Sequence, residues 1–402
     1  MKNSMSWLQI GVVSLCFLLN FNDGIDVLLV SFAGEHIMKE WGLNNAQLGY
    51  VFSAGLAGMT AGCFLIAPLG DQWGRRKVFL GSLFLISLGM LFVYFAPSLN
   101  ALLIFRFITG LGIGGILPNL ATVASEFSTD KTRDFNVGIV QGGWPLGAIL
   151  TGFVVAWVFP LLGWRATFLI ASAFSFALLL LVYFFLPESP GFVPESKHSK
   201  TKIKELFTPE YRTATLLLWT AIFFGFLTLY TLISWVPTLA KQSGMPFELA
   251  TYVGMTLNFG AFTGVFVMGL AISQIGIKKT MTLFFIIAFV LMNFYGNVKL
   301  DYVINLTLVF FIGFLVQGGF NSFYPAATRI YPAAIRSTGV GLAMGAGRFG
   351  AILGPTVFGL LTDSGMSVAG RFLIFSLPIL VAVFLLHKIK SKELSLSRPK
   401  IG

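Results

Sequence analysis

The chain is a succession of twelve apolar runs separated by short polar breaks. The runs cover 8–33, 46–69, 78–96, 100–126, 136–160, 164–186, 212–239, 248–273, 280–298, 302–328, 337–361 and 370–387. Most are 19–28 residues long, against the ~20 that a helix needs to cross about 30 Å of hydrocarbon. Inside lipid, every backbone polar group must be bonded within its own segment, so such runs fold as helices. The expected fold class is therefore an all-α membrane protein with twelve transmembrane helices. Only 11% of the 402 residues are charged and 56% are hydrophobic, where a soluble domain carries about 25% charge. The first run holds two Asp and lacks a small-residue cleavage site, so it reads as a retained helix and not a signal peptide. Cys16 and Cys63 fall inside apolar runs and read as core thiols, with no disulfide framework.

The longest polar break, 187–211, divides the runs six and six. This predicts an N-terminal six-helix half over 1–186, a cytoplasmic linker over 187–211, a C-terminal half over 212–388 and a cytoplasmic tail over 389–402. With both termini in the cytoplasm, twenty Lys and Arg fall in inner loops and five in outer ones, with Arg106 and Arg348 inside runs. That bias follows the positive-inside rule. It accounts for the net charge of +11 without nucleic acid and predicts a multi-pass protein of the cell (inner or plasma) membrane.

The halves repeat each other. Leu146-Gly147-Ala148-Ile149-Leu150 returns as Phe349-Gly350-Ala351-Ile352-Leu353, an offset of 203. Gly115 meets Gly318 and Arg133 meets Arg336 at the same offset. At 202, Gly58, Gly62 and Gly74 meet Gly260, Gly264 and Gly276. Two repeated halves with a midplane site between them are a transporter architecture.

The chemistry sits on a few polar residues inside the runs. Asp23 and Asp26 lie on the first run three residues apart, so they share a helical face. Each costs roughly 2.5–3.5 kcal/mol at the bilayer centre, which marks it as functional by default; the alternative is a buried pair bracing two helices. The first run is expected to lead outward and the fourth inward, which brings Arg106 to a similar depth. Arg106 would favour ionised carboxylates while burial opposes them, a competition that suits a proton switch; a static Arg–Asp brace is the other reading. Arg348 lies near the midplane with no acidic residue at its depth in its own half, and a substrate carboxylate would match its fork. His36, His198 and His387 lie at or beyond run ends, so proton coupling falls to the aspartates. Gln317, Asn321 and Tyr324 form one polar stripe, and Thr228, Thr231 and Trp235 another. Asn119, Gln141, Trp144 and Asn258 are single marks. All are candidate substrate contacts or interhelical hydrogen bonds. Asp71, Arg75, Arg76, Glu126, Arg133, Arg329 and Arg336 flank the inner run ends, as a gating latch between halves or as topology anchors.

Motifs add a family resemblance. Gly70-Asp71-Gln72-Trp73-Gly74-Arg75-Arg76-Lys77 resembles the loop signature of the major facilitator superfamily between its second and third helices, with a degenerate copy at 273–279. Asp23-Gly24-Ile25-Asp26 resembles the first-helix motif of the aromatic acid:proton symporter family. Arg106 to Gly115 followed by Pro118-Asn119 resembles its fourth helix. Tyr331-Pro332, Arg336 to Val340 and Gly347 to Ile352 resemble its helix 10–11 region. Gly142 to Gly147 shares part of the Gly-Pro motif of antiporters. The resemblance implies a proton-coupled symporter importing a small organic acid anion, with an aromatic carboxylate as first choice. Alternatives are a proton-coupled antiporter exporting a small molecule, uptake of a non-aromatic organic or sugar acid, and a non-transporting receptor. The expected partners are the anion, protons and the lipid bilayer, and the expected state is a monomer. With no nucleotide loop, metal-ligand cluster or nucleophile–base arrangement in the sequence, no cofactor, no metal and no enzyme activity are expected.

Overall fold

The computed structural model describes residues 5–129, 132–189, 204–298, 301–331 and 333–389. Every element among them is helical: α1 Trp7–Trp41, α2 Asn45–Leu65, the one-turn α3 Gly70–Trp73, α4 Arg75–Tyr94, α5 Leu99–Glu126 and α6 Arg133–Phe185. There follow α7 Arg212–Gln242, α8 Phe247–Ile275, α9 Ile277–Asn297, α10 Tyr302–Asn321, α11 Phe323–Ile330, α12 Ala333–Asp363 and α13 Val368–Lys388. Eleven helical stretches among the described residues are long and apolar enough to cross a membrane, one fewer than the runs expected. The difference is α6. Its 53 residues would extend about 80 Å at 1.5 Å per residue, more than twice the hydrocarbon thickness. It contains the expected runs 136–160 and 164–186, parted at Gly163, whose φ of 77° and ψ of 167° suit only glycine.

Two further boundaries differ from expectation. The first helix continues past 33 to Trp41, because its polar end satisfies itself: Glu35 pairs with Lys39 one turn on at 2.7 Å, and Gly42 caps it at φ 62°. The expected run 302–328 is two helices, because Pro325 cannot donate to the Asn321 carbonyl. Of the expected linker 187–211, residues 190–203 lie outside the described residues, as do 390–402 of the expected tail.

The repeat seen in the sequence is a repeat of backbone packing. A Cβ at Gly58 or Gly62 of α2 would strike the Phe107 or Leu111 carbonyl of α5. A Cβ at Gly260 or Gly264 of α8 would strike the Phe310 or Phe314 carbonyl of α10 in the same way. Gly147 of α6 lies on the Phe21 carbonyl of α1, and Gly350 of α12 on the Phe223 carbonyl of α7. Each pair of partners recurs 202 or 203 residues later. Small residues permit this approach, and in lipid it is packing, not water exclusion, that joins helices. The loop glycines match as well, Gly74 at φ 98°, ψ 143° and Gly276 at φ 83°, ψ 163°.

By internal packing the described residues fall into two compact units. The first holds those up to Ser189, with Leu232–Asn258 and Pro355–Gly365; the second holds the remainder. This grouping cuts across the expected division at 187–211, because the ends of α7 and α12 and the start of α8 pack within the first unit. Ser31 of α1 places its hydroxyl 2.9 and 2.8 Å from the carbonyls of Ile233 and Ser234. Trp235 donates to the Pro355 carbonyl at 3.0 Å and meets Phe52 edge-on at 5.4 Å. Asp363 accepts from the Asn45 amide (3.1 Å), the Asn45 side chain (2.8 Å) and the Ala46 amide (2.7 Å) at the start of α2, where the orphan amides favour a carboxylate. Asp363→Ala removes these bonds. In a chain with Cys16 and Cys63 replaced by Ser, it should raise several-fold the labelling of a cysteine placed at the buried Val51 by a membrane-impermeant thiol reagent. Unchanged labelling would show that apolar packing alone holds this end.

Candidate functional site

The residues of the first helix converge on its middle turns. Asp26 is 2% exposed and Asp23 4%. Arg106 of α5, itself 2% exposed, grips Asp26 with both terminal nitrogens: Nη1 donates to Oδ1 and Nη2 to Oδ2, the latter at 3.0 Å. A fork of this kind is the strong, oriented form of the Arg–carboxylate contact. Arg106 Nε has no acceptor among the described residues.

Neighbouring residues orient this face. Asn20 donates to the Val140 carbonyl of α6 at 2.8 Å. Asn22 accepts from the Ser175 hydroxyl at 3.0 Å. A Cβ at Gly24 would strike the Trp144 carbonyl and lie 2.9 Å from the Ala148 nitrogen, so the glycine between the two aspartates lets α6 press against α1. Trp144 and Gln141, expected to contact substrate, thus sit on the helix that backs the aspartates; Trp144 is half-buried and Gln141 exposed.

In the second unit, Arg348 is half-buried on α12, and its guanidinium lies 6.0 Å from the Phe226 ring centre on α7. Gly347 faces Ile222 and Gly350 the Phe223 carbonyl, so these glycines admit a neighbouring helix. Phe226 stands 4.5 Å from Phe320 and 5.6 Å from Tyr230, and Phe320 in turn is 6.5 Å from Tyr324. This aromatic group beside a guanidinium was not singled out by the sequence, because 43 Phe are scattered through the chain. Gln317 and Asn321 lie on α10, with the Asn321 amide donating to the Gln317 carbonyl at 3.0 Å; Tyr324 is exposed on α11.

Several candidates use their hydrogen bonds within the bundle. Thr228 donates to the Phe375 carbonyl at 2.8 Å, Thr231 to Leu227 at 2.7 Å and Trp235 to Pro355. Asn119 donates to the carbonyls of Ala67 and Gly115 at 3.2 and 3.1 Å. Asn258 donates to Gly254 at 2.9 Å, and its buried Oδ1 has no donor among the described residues.

Of the gating set, the side chains of Asp71, Arg133 and Arg336 lie outside the described residues. Arg75 pairs with Glu126 and donates to the Ser189 hydroxyl at 2.9 Å, a set held inside the first unit. Arg76 donates to the Tyr183 carbonyl at 2.6 Å, and Arg329 is half-buried near the end of α11. Tyr331, just beyond α11, donates to Thr215 at 3.2 Å, and burial pushes its phenol above the ordinary range. Glu188 was not expected. Its Oε1 accepts the amides of Arg75 and Arg76 at 2.8 and 3.2 Å, and its carboxylate fills the space beside Gly74. The signal was a carboxylate just past an apolar run, able to meet the orphan amides that open α4.

The profile of the Major Facilitator Superfamily matches residues 15–355. The 4-hydroxybenzoate transporter PcaK of Pseudomonas putida is 32% identical over 385 residues, covering 88% of this chain and 86% of its own length. The 3-(3-hydroxy-phenyl)propionate transporter of Escherichia coli K12 is 32% identical over 384 residues, covering 94% of each chain. In fold, the chain is similar to a crystal structure of a D-xylose-proton symporter, with TM-score 0.81 and 15% identity over 96% of this chain and 98% of that one.

Removing one partner of a buried pair costs more than removing both. Arg106→Ala leaves Asp26 without its cation and should cost roughly 3–5 kcal/mol. The double variant Asp26→Asn, Arg106→Gln should lose clearly less. Thermal unfolding in detergent compares them, and equal losses would show that the pair is not jointly desolvated in the folded protein.

Proposed function

The chain belongs to the major facilitator superfamily, and on that premise we propose that it is a twelve-helix secondary transporter importing an aromatic carboxylate together with protons. In this reading α6 counts as two spans hinged at Gly163, which gives six helices before the 187–211 linker and six after it, with both termini cytoplasmic. It works as a monomer. The observation that carries the proposal is the Asp26–Arg106 pair. A buried ion pair holds only while the carboxylate is charged. A proton taken by Asp26 dissolves the fork and frees α1 and α5 to move, and its loss restores the fork. Asp23, one turn earlier on the same face, is the second carboxylate available to this exchange.

Arg348 is the anchor for the substrate carboxylate. Its guanidinium keeps its charge, so it attracts an anion at any working pH. Phe226 and Phe320 are buried in this structure, and they offer apolar and edge surfaces to a ring once the helices that cover them part. A carboxylate bound to Arg348 with its ring against this group suits the aromatic acids that the relatives' names specify. Gln317 and Asn321 supply polar groups for ring substituents. Thr228 and Thr231 set helix positions within the second unit, and Trp235, Asn119, Gln141, Trp144 and Asn258 do so within the first. The charged groups at the inner helix ends, Asp71, Arg75, Arg76, Glu126, Arg133, Arg329 and Arg336, control closure on the cytoplasmic side.

Purified protein in proteoliposomes should accumulate labelled 4-hydroxybenzoate or 3-(3-hydroxyphenyl)propionate when the outside is made acidic, and lose accumulation when the gradient is dissipated. Asp26→Asn should abolish accumulation while leaving exchange. Arg348→Ala should weaken binding of the acid roughly ten- to hundredfold, as expected for a charged hydrogen bond of about 1.5–3 kcal/mol, and Arg348→Lys by less. The neutral amide of the same acid should bind poorly to the wild type and suffer little further loss in Arg348→Ala. Export under the same gradient would favour the antiporter, and equal loss for acid and amide would remove Arg348 as anion anchor.

A further inference from the structure

We propose that Gly55 of α2 is the positioning residue that seats the Arg106 guanidinium on Asp26. The inference rests on the coupling role proposed above for that pair and assigns the residue that sets its geometry.

Glycines on α2 face α5 in two different ways. A Cβ at Gly58 or Gly62 would strike backbone carbonyls, so these residues set how closely the helices pack. A Cβ at Gly55 would meet Arg106 side-chain atoms, 2.6 Å from Nη2, 3.3 Å from Cζ and 3.6 Å from Nε. These are its three nearest neighbours, and none is backbone. The same Nη2 donates to Asp26 Oδ2 at 3.0 Å. A methyl group at Gly55 therefore competes for the place of one half of the fork. An ordinary contact starts near 3.4 Å, so Nη2 has to retreat by the better part of an ångström. Elsewhere on a protein surface an arginine would swing aside at little cost. Here the guanidinium is 2% exposed and tethered at both nitrogens, so the retreat comes out of the Asp26 contact.

The consequence is directional. Weakening one of two charge-assisted bonds loosens the hold on the ionised carboxylate, and a proton competes for it more effectively. Within the first unit's helices the charged groups are few. Asp23 lies on the same helix, with Glu35, His36, Lys39 and Glu40 toward its far end; α5 carries Arg106 and, at its end, Glu126; α2 carries no charged residue. On α6 there is none between Asp134 and Arg165, and on α4 none after Lys77. Within 232–258 the charged groups are Lys241 and Glu248, and within 355–365 only Asp363. Within these segments Arg106 is thus the one cation away from the helix ends.

The test is Gly55→Ala in proteoliposomes, beside wild type, Asp26→Asn, Arg106→Lys and the double variant Gly55→Ala, Arg106→Lys. Gly55→Ala is expected to keep substrate exchange, to slow gradient-driven uptake, and to move the midpoint of the uptake pH profile to the alkaline side by about one unit, a tenfold change in proton affinity. Lysine lacks the terminal fork that the methyl displaces, so the double variant should match Arg106→Lys alone in exchange, accumulation and unfolding temperature. A residue with only a packing role would instead add its loss to that of Arg106→Lys and leave the pH midpoint unmoved, and that result overturns the proposal. If Gly55→Ala does not insert, the double variant decides: normal insertion there supports a clash with the guanidinium, and failure there overturns it. Asp26→Asn separates the two levels. Full accumulation in Asp26→Asn refutes the coupling role itself, whereas its collapse together with a wild-type profile for Gly55→Ala refutes only the role of Gly55.

Discussion

A guanidinium and a carboxylate that bury each other inside an apolar bundle leave little freedom to the helices that carry them. Separately, each ion is too costly to desolvate; together they are tolerable only with a well-formed fork. Arg106 and Asp26 meet that condition, and the demand spreads outward. Helix α1 must face α5 at one register. Gly24, between the two aspartates, must leave space for α6, and Gly55 must leave space for the guanidinium. Asn20 and Asn22 then tie the same turns of α1 to α6. Gly55 is thus the steric complement of the ion pair itself, and Gly24 of the helix that backs it.

The two repeats share this scaffold and divide the chemistry. Gly147 on Phe21 and Gly350 on Phe223 are the same backbone contact 203 and 202 residues apart. Yet the positions that hold Asp23 and Asp26 in one repeat hold Gly225 and Thr228 in the other. The first repeat keeps a charge that a proton can cancel. The second keeps one that a proton cannot cancel, Arg348, beside the ring of Phe226. In the function proposed above, one repeat answers to protons and the other to an anion.

Much of the fold was legible in the sequence because bilayer thickness sets helix length and an offset of 202–203 recurs. The departures have local causes. No polar residue lies between Pro160 and Gly163, so the turn that parts α6 is visible only as backbone angles at one glycine. Pro325, read as part of a run, ends a helix because an amide is missing. For the site, Asp26 and Arg106 were legible as a pair because ions in apolar runs have few permissible partners. Phe226 and Glu188 were not: a phenylalanine among 43 carries no mark, and a carboxylate beyond a run end looks like solvent-facing charge.

By itself, the sequence determined that this chain is a bundle of membrane-spanning helices with an internal repeat, and which ionisable groups lie inside it. These follow from composition and periodicity, which act on each segment separately. Only the tertiary structure decided which carboxylate Arg106 grips, which glycines face a side chain and which a backbone, and which polar groups spend their hydrogen bonds on neighbouring helices. Those outcomes depend on the rotation of each helix about its own axis. In an apolar solvent that rotation is set by contacts between surfaces far apart in the chain, and no single segment encodes it.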